Sequence, residues 1–219
     1  MKKAVVLLSG GLDSTVTLYY AKTQGYQTYA LTFDYGQRHK KEINLARQIA
    51  GKAKSSWRLV KMQLPWGGSA LLDKKIKIPQ RRKNMNNIPA TYVAARNIIF
   101  LSFAASCAET IKAEAIFIGA NQIDYSGYPD CRMSFLKMFE KILEKGTKQG
   151  TGGKKISVCA PLVKKNKEQI VKMALDLKIP LELTWSCYLG GKYPCGICDS
   201  CVLRKQGFMA AKTKDPAYA

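Results

Sequence analysis

Short apolar runs rich in β-branched residues alternate along this chain with longer stretches in which apolar residues recur every three or four positions. The runs at 4–8, 28–33, 57–62, 115–118 and 156–159 have the length and composition of buried strands. Between them, 15–23 reads as a helix closed by Gly25, and 42–50 places Ile43, Ala46, Ile49 and Ala50 on one helical face. Residues 92–108 form a largely apolar helix, and Phe135, Met138, Phe139, Ile142 and Leu143 keep the spacing of another. Asn166, with Gln169 three residues later, resembles a capping box that opens a helix over 168–177. Strand–helix alternation predicts an α/β fold: a Rossmann-like open parallel sheet of about five strands with helices on both faces. The apolar stripes are then core. Two irregular stretches, the basic 74–89 and the Gly/Lys-rich 146–155, are expected as loops or lids within a single domain spanning 1–219.

Composition narrows the class. With 219 residues, 47% hydrophobic and 23% charged, the chain is neither disordered nor fibrous and is long enough for one large core. No apolar run reaches the roughly 18 residues of a membrane span. The stretch after Lys2-Lys3 stops at Ser9-Gly10-Gly11, short of the ~7–15 apolar residues of a signal peptide. A soluble, cytoplasmic protein with no membrane partner is expected. The net charge of +21, from 36 basic and 15 acidic residues, attracts polyanions such as RNA or a nucleoside triphosphate. The lysines are spread along the chain, which suits a merely solvated surface equally well. His39 is the one histidine, so mechanisms that need two are excluded.

The first chemical signal is Ser9-Gly10-Gly11-Leu12-Asp13-Ser14, between a predicted strand and a predicted helix. Open α/β sheets bind ligands at that edge. Paired glycines let the backbone approach an anion, the helix start adds free N–H groups, and Ser9, Ser14 and Thr15 add hydroxyls. The lysine of a Walker loop and the Gly-x-Gly-x-x-Gly of a dinucleotide fold are both missing. The six residues resemble the PP-loop of the ATP pyrophosphatases. That resemblance implies a loop that holds the β,γ-phosphates of ATP while a substrate oxygen attacks the α-phosphorus.

The second signal is Cys187-x7-Cys195-x2-Cys198-x2-Cys201, four of the seven cysteines within fifteen residues. Four thiolates with no open position suit a closed, tetrahedral structural zinc. An iron–sulfur cluster is the competing occupant, because Cys-x2-Cys-x2-Cys also opens ferredoxin-type motifs.

Beyond these two sites, the chain resembles the 7-cyano-7-deazaguanine synthase family of queuosine biosynthesis. The matching segments are 33–39 (Phe-Asp-Tyr-Gly-Gln-Arg-His), 89–92 (Pro-Ala-Thr-Tyr), 95–97 (Ala-Arg-Asn), 119–121 (Gly-Ala-Asn) with 124–132 (Asp-Tyr-Ser-Gly-Tyr-Pro-Asp-Cys-Arg), and 184–188 (Thr-Trp-Ser-Cys-Tyr). One departure is Ala94-Ala95, where the family often has a proline. The resemblance implies an adenine nucleotide α-hydrolase-like fold with a C-terminal zinc segment at 187–201. It implies a ligase that uses ATP, Mg²⁺ and ammonia to turn 7-carboxy-7-deazaguanine into an amide and then the nitrile. It also implies a homodimer with no stable nucleic-acid partner. A PP-loop enzyme acting directly on tRNA, of the thiolase type, is the alternative.

On that resemblance, Leu8, Ser9, Gly10, Gly11, Leu12, Asp13, Ser14 and Thr15, with Arg96 and Asn97, are expected at the ATP site, Leu12 packing inward. Asp13 suits a magnesium or turn role, or simple helix capping. Arg38 is expected to steady pyrophosphate charge, and His39 to accept a proton, although a lone histidine in a basic run is commonly a surface residue. Asp130 is expected on the guanine-like edge of the substrate and Arg132 on its carboxylate, unless that loop is held by its own ion pairs. Cys187, Cys195, Cys198 and Cys201 are the expected metal ligands.

Overall fold

The computed structural model describes residues 1–81, 87–121 and 127–218. Its elements are β1 (Lys3–Leu7), α1 (Leu12–Thr23), β2 (Gln27–Asp34), α2 (Lys41–Lys52), β3 (Ser56–Lys61), α3 (Arg96–Ile111), β4 (Ala115–Phe117), α4 (Met133–Gly146), the single turn α5 (Lys148–Thr151), β5 (Ser157–Cys159), α6 (Lys167–Asp176) and α7 (Asp199–Ala210). The five strands pair in parallel in the order β3-β2-β1-β4-β5. β1 is central because its run is apolar on both faces, as a doubly covered parallel strand must be. Val5 and Leu7 pack with α3 and α4 through Leu101, Ala104, Leu136 and Phe139. Ala4, Val6 and Leu8 face the other way, onto Leu18 of α1 and Ala46 and Ile49 of α2. A third cluster joins Leu12 and Val16 of α1 to Ile170 and Val171 of α6 and Phe208 of α7.

The chain reverses its direction of travel across the sheet between β1 and β4, which opens a crevice beyond their C-terminal ends. Three differences from the sequence reading bear on it. α1 begins at Leu12, inside the glycine motif, rather than at 15. α3 begins only at Arg96, because Ala95 adopts a left-handed φ of 53° that breaks the helix expected from 92. Residues 146–155 are not a free loop: α4 runs to Gly146, and Thr147 caps α5 by accepting from the Gly150 N–H. Of the apolar stripe on α4, Phe139 and Leu143 are buried while Met138 and Ile142 are exposed. Among the described residues, no helix is long and apolar enough to cross a membrane.

Candidate functional site

A cleft of about 290 Å³ opens at the crevice, lined by the loop between β1 and α1, residues 35–43, the start of α3, and residues 185–188. Its floor is built by close backbone approaches. Gly10 has φ +88°, and a Cβ there would lie 2.4 Å from the Glu42 carbonyl oxygen. Gly119, after β4, sits so near α1 that a Cβ would meet the Ser14 nitrogen at 3.0 Å. The loop then ties itself. The Ser9 N–H donates to Ser14 Oγ (3.1 Å), the Gly11 N–H to Ser9 Oγ (3.2 Å), and the Ser14 and Thr15 hydroxyls to the Gly11 carbonyl (3.1 and 2.7 Å). With Gly11 as N-cap, no side chain caps α1, so its first-turn N–H groups are open to a ligand and its positive dipole end faces the cleft. Leu12 is buried, packing inward as expected, and Leu8 is buried beside it, both at the edge of the cleft.

Asp13 is not the helix cap. Its Oδ2 accepts from Asn121 Nδ2 (2.8 Å) and pairs with Lys167 Nζ, while its Oδ1 is buried with no hydrogen-bond partner. Lys167 is the first residue of α6 and was not singled out from the sequence. The Asn166–Gln169 capping box is present as expected, and it fixes where that lysine emerges at the sheet edge.

On the opposite wall, Arg96 stands among Tyr35, Tyr128, Phe100 and Glu42. Burial disfavours its charge, but the Tyr35 and Tyr128 hydroxyls more than offset that and hold its pKa above the ordinary value. Glu42, also unforeseen, has its carboxyl pushed up to about 8 by burial, with Arg96 opposing and Cys187 adding to the rise. Burial lowers the His39 pKa, although Cys187 counteracts it, and the His39 ring packs directly against Gly190.

Several expected roles do not fit this geometry. Asp130 is buried and committed: its Oδ2 accepts from the Asn97 N–H (3.0 Å) and its Oδ1 from Asn97 Nδ2 (3.3 Å). It therefore satisfies the open start of α3 instead of offering a free carboxylate to a substrate. Asn97 lines the cleft, and its Nδ2 donates to Asp130 and to Cys131 Sγ, which ties the start of α3 to that loop. Arg132 is exposed as the N-cap residue of α4, outside the cleft lining. Arg38 does line the cleft, but its Nη2 donates to the Asp73 and Ile76 carbonyls (2.8 and 2.6 Å), clamping that loop. Asp124 and Tyr125 lie outside the described residues.

The four cysteine sulfurs lie within 4.8 Å of one another. Gly196, at φ +73°, makes the turn between Cys195 and Cys198. The N–H groups of Leu189 and Cys195 point at Cys187 Sγ (both 3.4 Å) and that of Cys198 at Cys195 Sγ (3.3 Å), the orientation that steadies thiolates. A closed set of four soft donors suits a tetrahedral metal ion. The cluster is continuous with the cleft wall: Trp185 donates its Nε1–H to the Cys187 carbonyl and its backbone N–H to the Gly10 carbonyl (2.9 and 3.0 Å). Behind it, Arg204 and Asp215 form a buried ion pair, and Arg204 also reaches Thr184.

The family model described as "Queuosine biosynthesis protein QueC" matches residues 3–212. The chain belongs to this family. A relative from Clostridium kluyveri is 54% identical over 99% of this chain and 97% of its own length, and one from Acetivibrio thermocellus is 51% identical over 98% and 96%. Both are named 7-cyano-7-deazaguanine synthase. Among solved structures, an NMN synthetase from Francisella tularensis shares the fold (TM-score 0.54, 17% identity, 97% of this chain and 78% of that one). So does a predicted tRNA methyltransferase subunit from Methanocaldococcus jannaschii (TM-score 0.52, 15% identity, 80% and 75%). At such identities they speak for the sheet and its order alone. The QueC family membership is what ties the cleft to an enzyme.

Proposed function

We propose that this protein uses ATP and ammonia to convert 7-carboxy-7-deazaguanine into 7-cyano-7-deazaguanine in queuosine biosynthesis. The observation that carries the reading is the uncapped start of α1: its free N–H groups open into the same cleft as the Arg96 wall, so a polyphosphate and a second substrate can meet there. ATP lies with its phosphates on Ser9–Thr15 and Lys167. Asp13 Oδ1, buried and unpartnered, suits the hard Mg²⁺ that neutralises phosphate charge.

A carboxylate oxygen attacks the α-phosphorus and pyrophosphate leaves, its growing charge met by the α1 N–H groups and the Lys167 ammonium. Ammonia displaces AMP to give the amide. The amide oxygen then attacks a second ATP, and loss of AMP with two N–H protons leaves the nitrile. The logic is repeated activation, since neither a carboxylate nor an amide oxygen leaves readily and AMP does. Arg96, held ionised between two tyrosines, is suited to the substrate carboxylate. The four cysteines hold a zinc ion with no open position, and its contribution is to fix the segment that carries Trp185. A cytoplasmic homodimer belongs to the same reading.

Mass spectrometry of a reaction with ATP, Mg²⁺, ammonium and the carboxylate tests it. The expected products are the nitrile, AMP and pyrophosphate. No nitrile from metal-replete protein, with AMP released only when tRNA is added, would overturn the reading in favour of an RNA-modifying enzyme.

A further inference from the structure

The cleft has to admit a nitrogen donor that its charge repels. Arg38, Arg96, Lys167 and Arg204 all line it; Lys167 and Arg204 are paired with Asp13 and Asp215, so Arg96 and Arg38 carry most of the charge that repels a small cation such as ammonium. Among the described residues, two carboxylates share the lining, Asp13 and Glu42. Asp13 has its Oδ2 engaged by Lys167 and Asn121, and its Oδ1 is assigned above to Mg²⁺.

Glu42 is differently placed. It sits in the first turn of α2, with its own backbone packed against Gly10 of the phosphate loop, and it lines the cleft. Among the described residues, no donor hydrogen-bonds its carboxylate. The groups that face it are the Arg96 guanidinium of α3, the Cys187 sulfur of the cysteine segment and the Tyr35 hydroxyl after β2. A half-buried carboxyl that lines the cleft without a donor gains from any ligand that brings both positive charge and N–H groups.

We propose that the Glu42 carboxylate is the receptor for the incoming ammonium ion and the acceptor of its first proton, an assignment that rests on the nitrile-forming reaction proposed above. Ammonium docks on Glu42 through N–H···O bonds and passes one proton to it. The ammonia left behind adds its lone pair to the carbonyl carbon of the acyl-adenylate. The carbon–oxygen bond to AMP breaks with its electron pair going to the AMP phosphate, which also takes the second proton shed by nitrogen. Glu42 then returns its proton to water.

The test compares the metal-replete wild type with Glu42→Gln, which keeps size and polarity but cannot take the proton, and with Glu42→Asp, which keeps the charge at shorter reach. Ammonium is varied at saturating ATP, Mg²⁺ and carboxylate. Carboxylate-dependent ATP–pyrophosphate exchange without ammonium reports the step that involves no nitrogen. The expected result is a KM for ammonium raised about tenfold or more in Glu42→Gln and less in Glu42→Asp, with exchange rates and the KM for ATP within about twofold of wild type. An unchanged KM for ammonium overturns the assignment. Equal loss of exchange and ammonium use in both variants also overturns it, in favour of a purely structural role. A wild type that exchanges pyrophosphate only with some other acid defeats the parent reading, whereas wild-type nitrile formation with an indifferent Glu42→Gln defeats this one alone.

Discussion

The two ends of the cleft are held together by opposite means. At Ser9–Thr15, hydroxyls and backbone groups of Ser9, Gly11, Ser14 and Thr15 bond one another, and glycines allow the loop to sit against α2 and β4. At Cys187–Cys201, four sulfurs converge on a point with little to hold them except N–H groups aimed at thiolates. The first arrangement keeps its shape through its own hydrogen bonds while leaving the α1 N–H groups open; the second is a donor set that suits a metal. Yet they share a wall, because Trp185 donates to Gly10 and Gly190 packs on His39. On the function proposed above, the lesson is that the cluster would serve the site from a distance, fixing the far side of a cleft whose near side is mostly tied locally.

Breaking the metal end should therefore have the largest effect. Structural zinc sites contribute on the order of 10 kcal/mol or more to folding their own segment. Chelation, or Cys198→Ser, should abolish nitrile formation and lower Tm by roughly 10 °C or more. ATP affinity should fall far less, since the phosphate loop is tied locally. Calorimetry and ATP binding on the same metal-free sample check this, and equal loss of both would show that the two ends do not differ as described.

Gly10→Ala attacks the self-sufficient end. The new methyl would have to occupy the space of the Glu42 carbonyl at a φ of +88°, where residues with a Cβ are already disfavoured. A loss of about 3 kcal/mol is expected, measured by denaturant unfolding. Because the strain separates α2 from the loop, ATP-dependent pyrophosphate exchange should drop with it while the four thiols still bind one metal ion. Metal content measured alongside exchange distinguishes a local break from global collapse.

The contiguous parts of the site were legible in the sequence, and the dispersed parts were not. Ser9–Ser14 and the four cysteines announce themselves because the chemistry needs neighbours in the chain: a turn before a helix, or sulfurs two residues apart. The strand runs were equally plain, since a parallel strand buried on both faces cannot hide its composition. Lys167 and Glu42 come from different helices and carry no motif. Lys167 was nevertheless within reach, because the Asn166–Gln169 box marks the helix start that places it at the sheet edge. Glu42 had only its position next to the apolar stripe of α2 to give it away. Asp130 and Arg132 sit differently from the expectation for a related reason. A charged pair two residues apart looks like a binding loop in one dimension, while in the fold Asp130 satisfies α3 and Arg132 points to solvent. α7 was not anticipated, because its apolar face is interrupted by Arg204, a residue buried through its pairing with Asp215.

The smallest predicted effect sharpens the comparison at the point where the two ends meet. Glu42 touches the phosphate loop through its backbone and feels Cys187 through its side chain. Its carboxyl is raised from 4.5 to about 8 in the fold, so between those values the folded chain keeps a proton that the unfolded chain has released. The stability associated with that proton is fully present below about pH 4.5 and is lost as pH climbs through 8. Glu42→Gln removes the titration, so the Tm of the variant should fall less than that of wild type between pH 5 and pH 8.5, by on the order of 2–5 °C in a matched pair of melts. Parallel curves would mean that the carboxylate is already satisfied in the empty cleft. A flatter curve in the variant, together with its weaker hold on ammonium, would mean that the fold tolerates a destabilising acid beside its phosphate loop because the reaction needs one there.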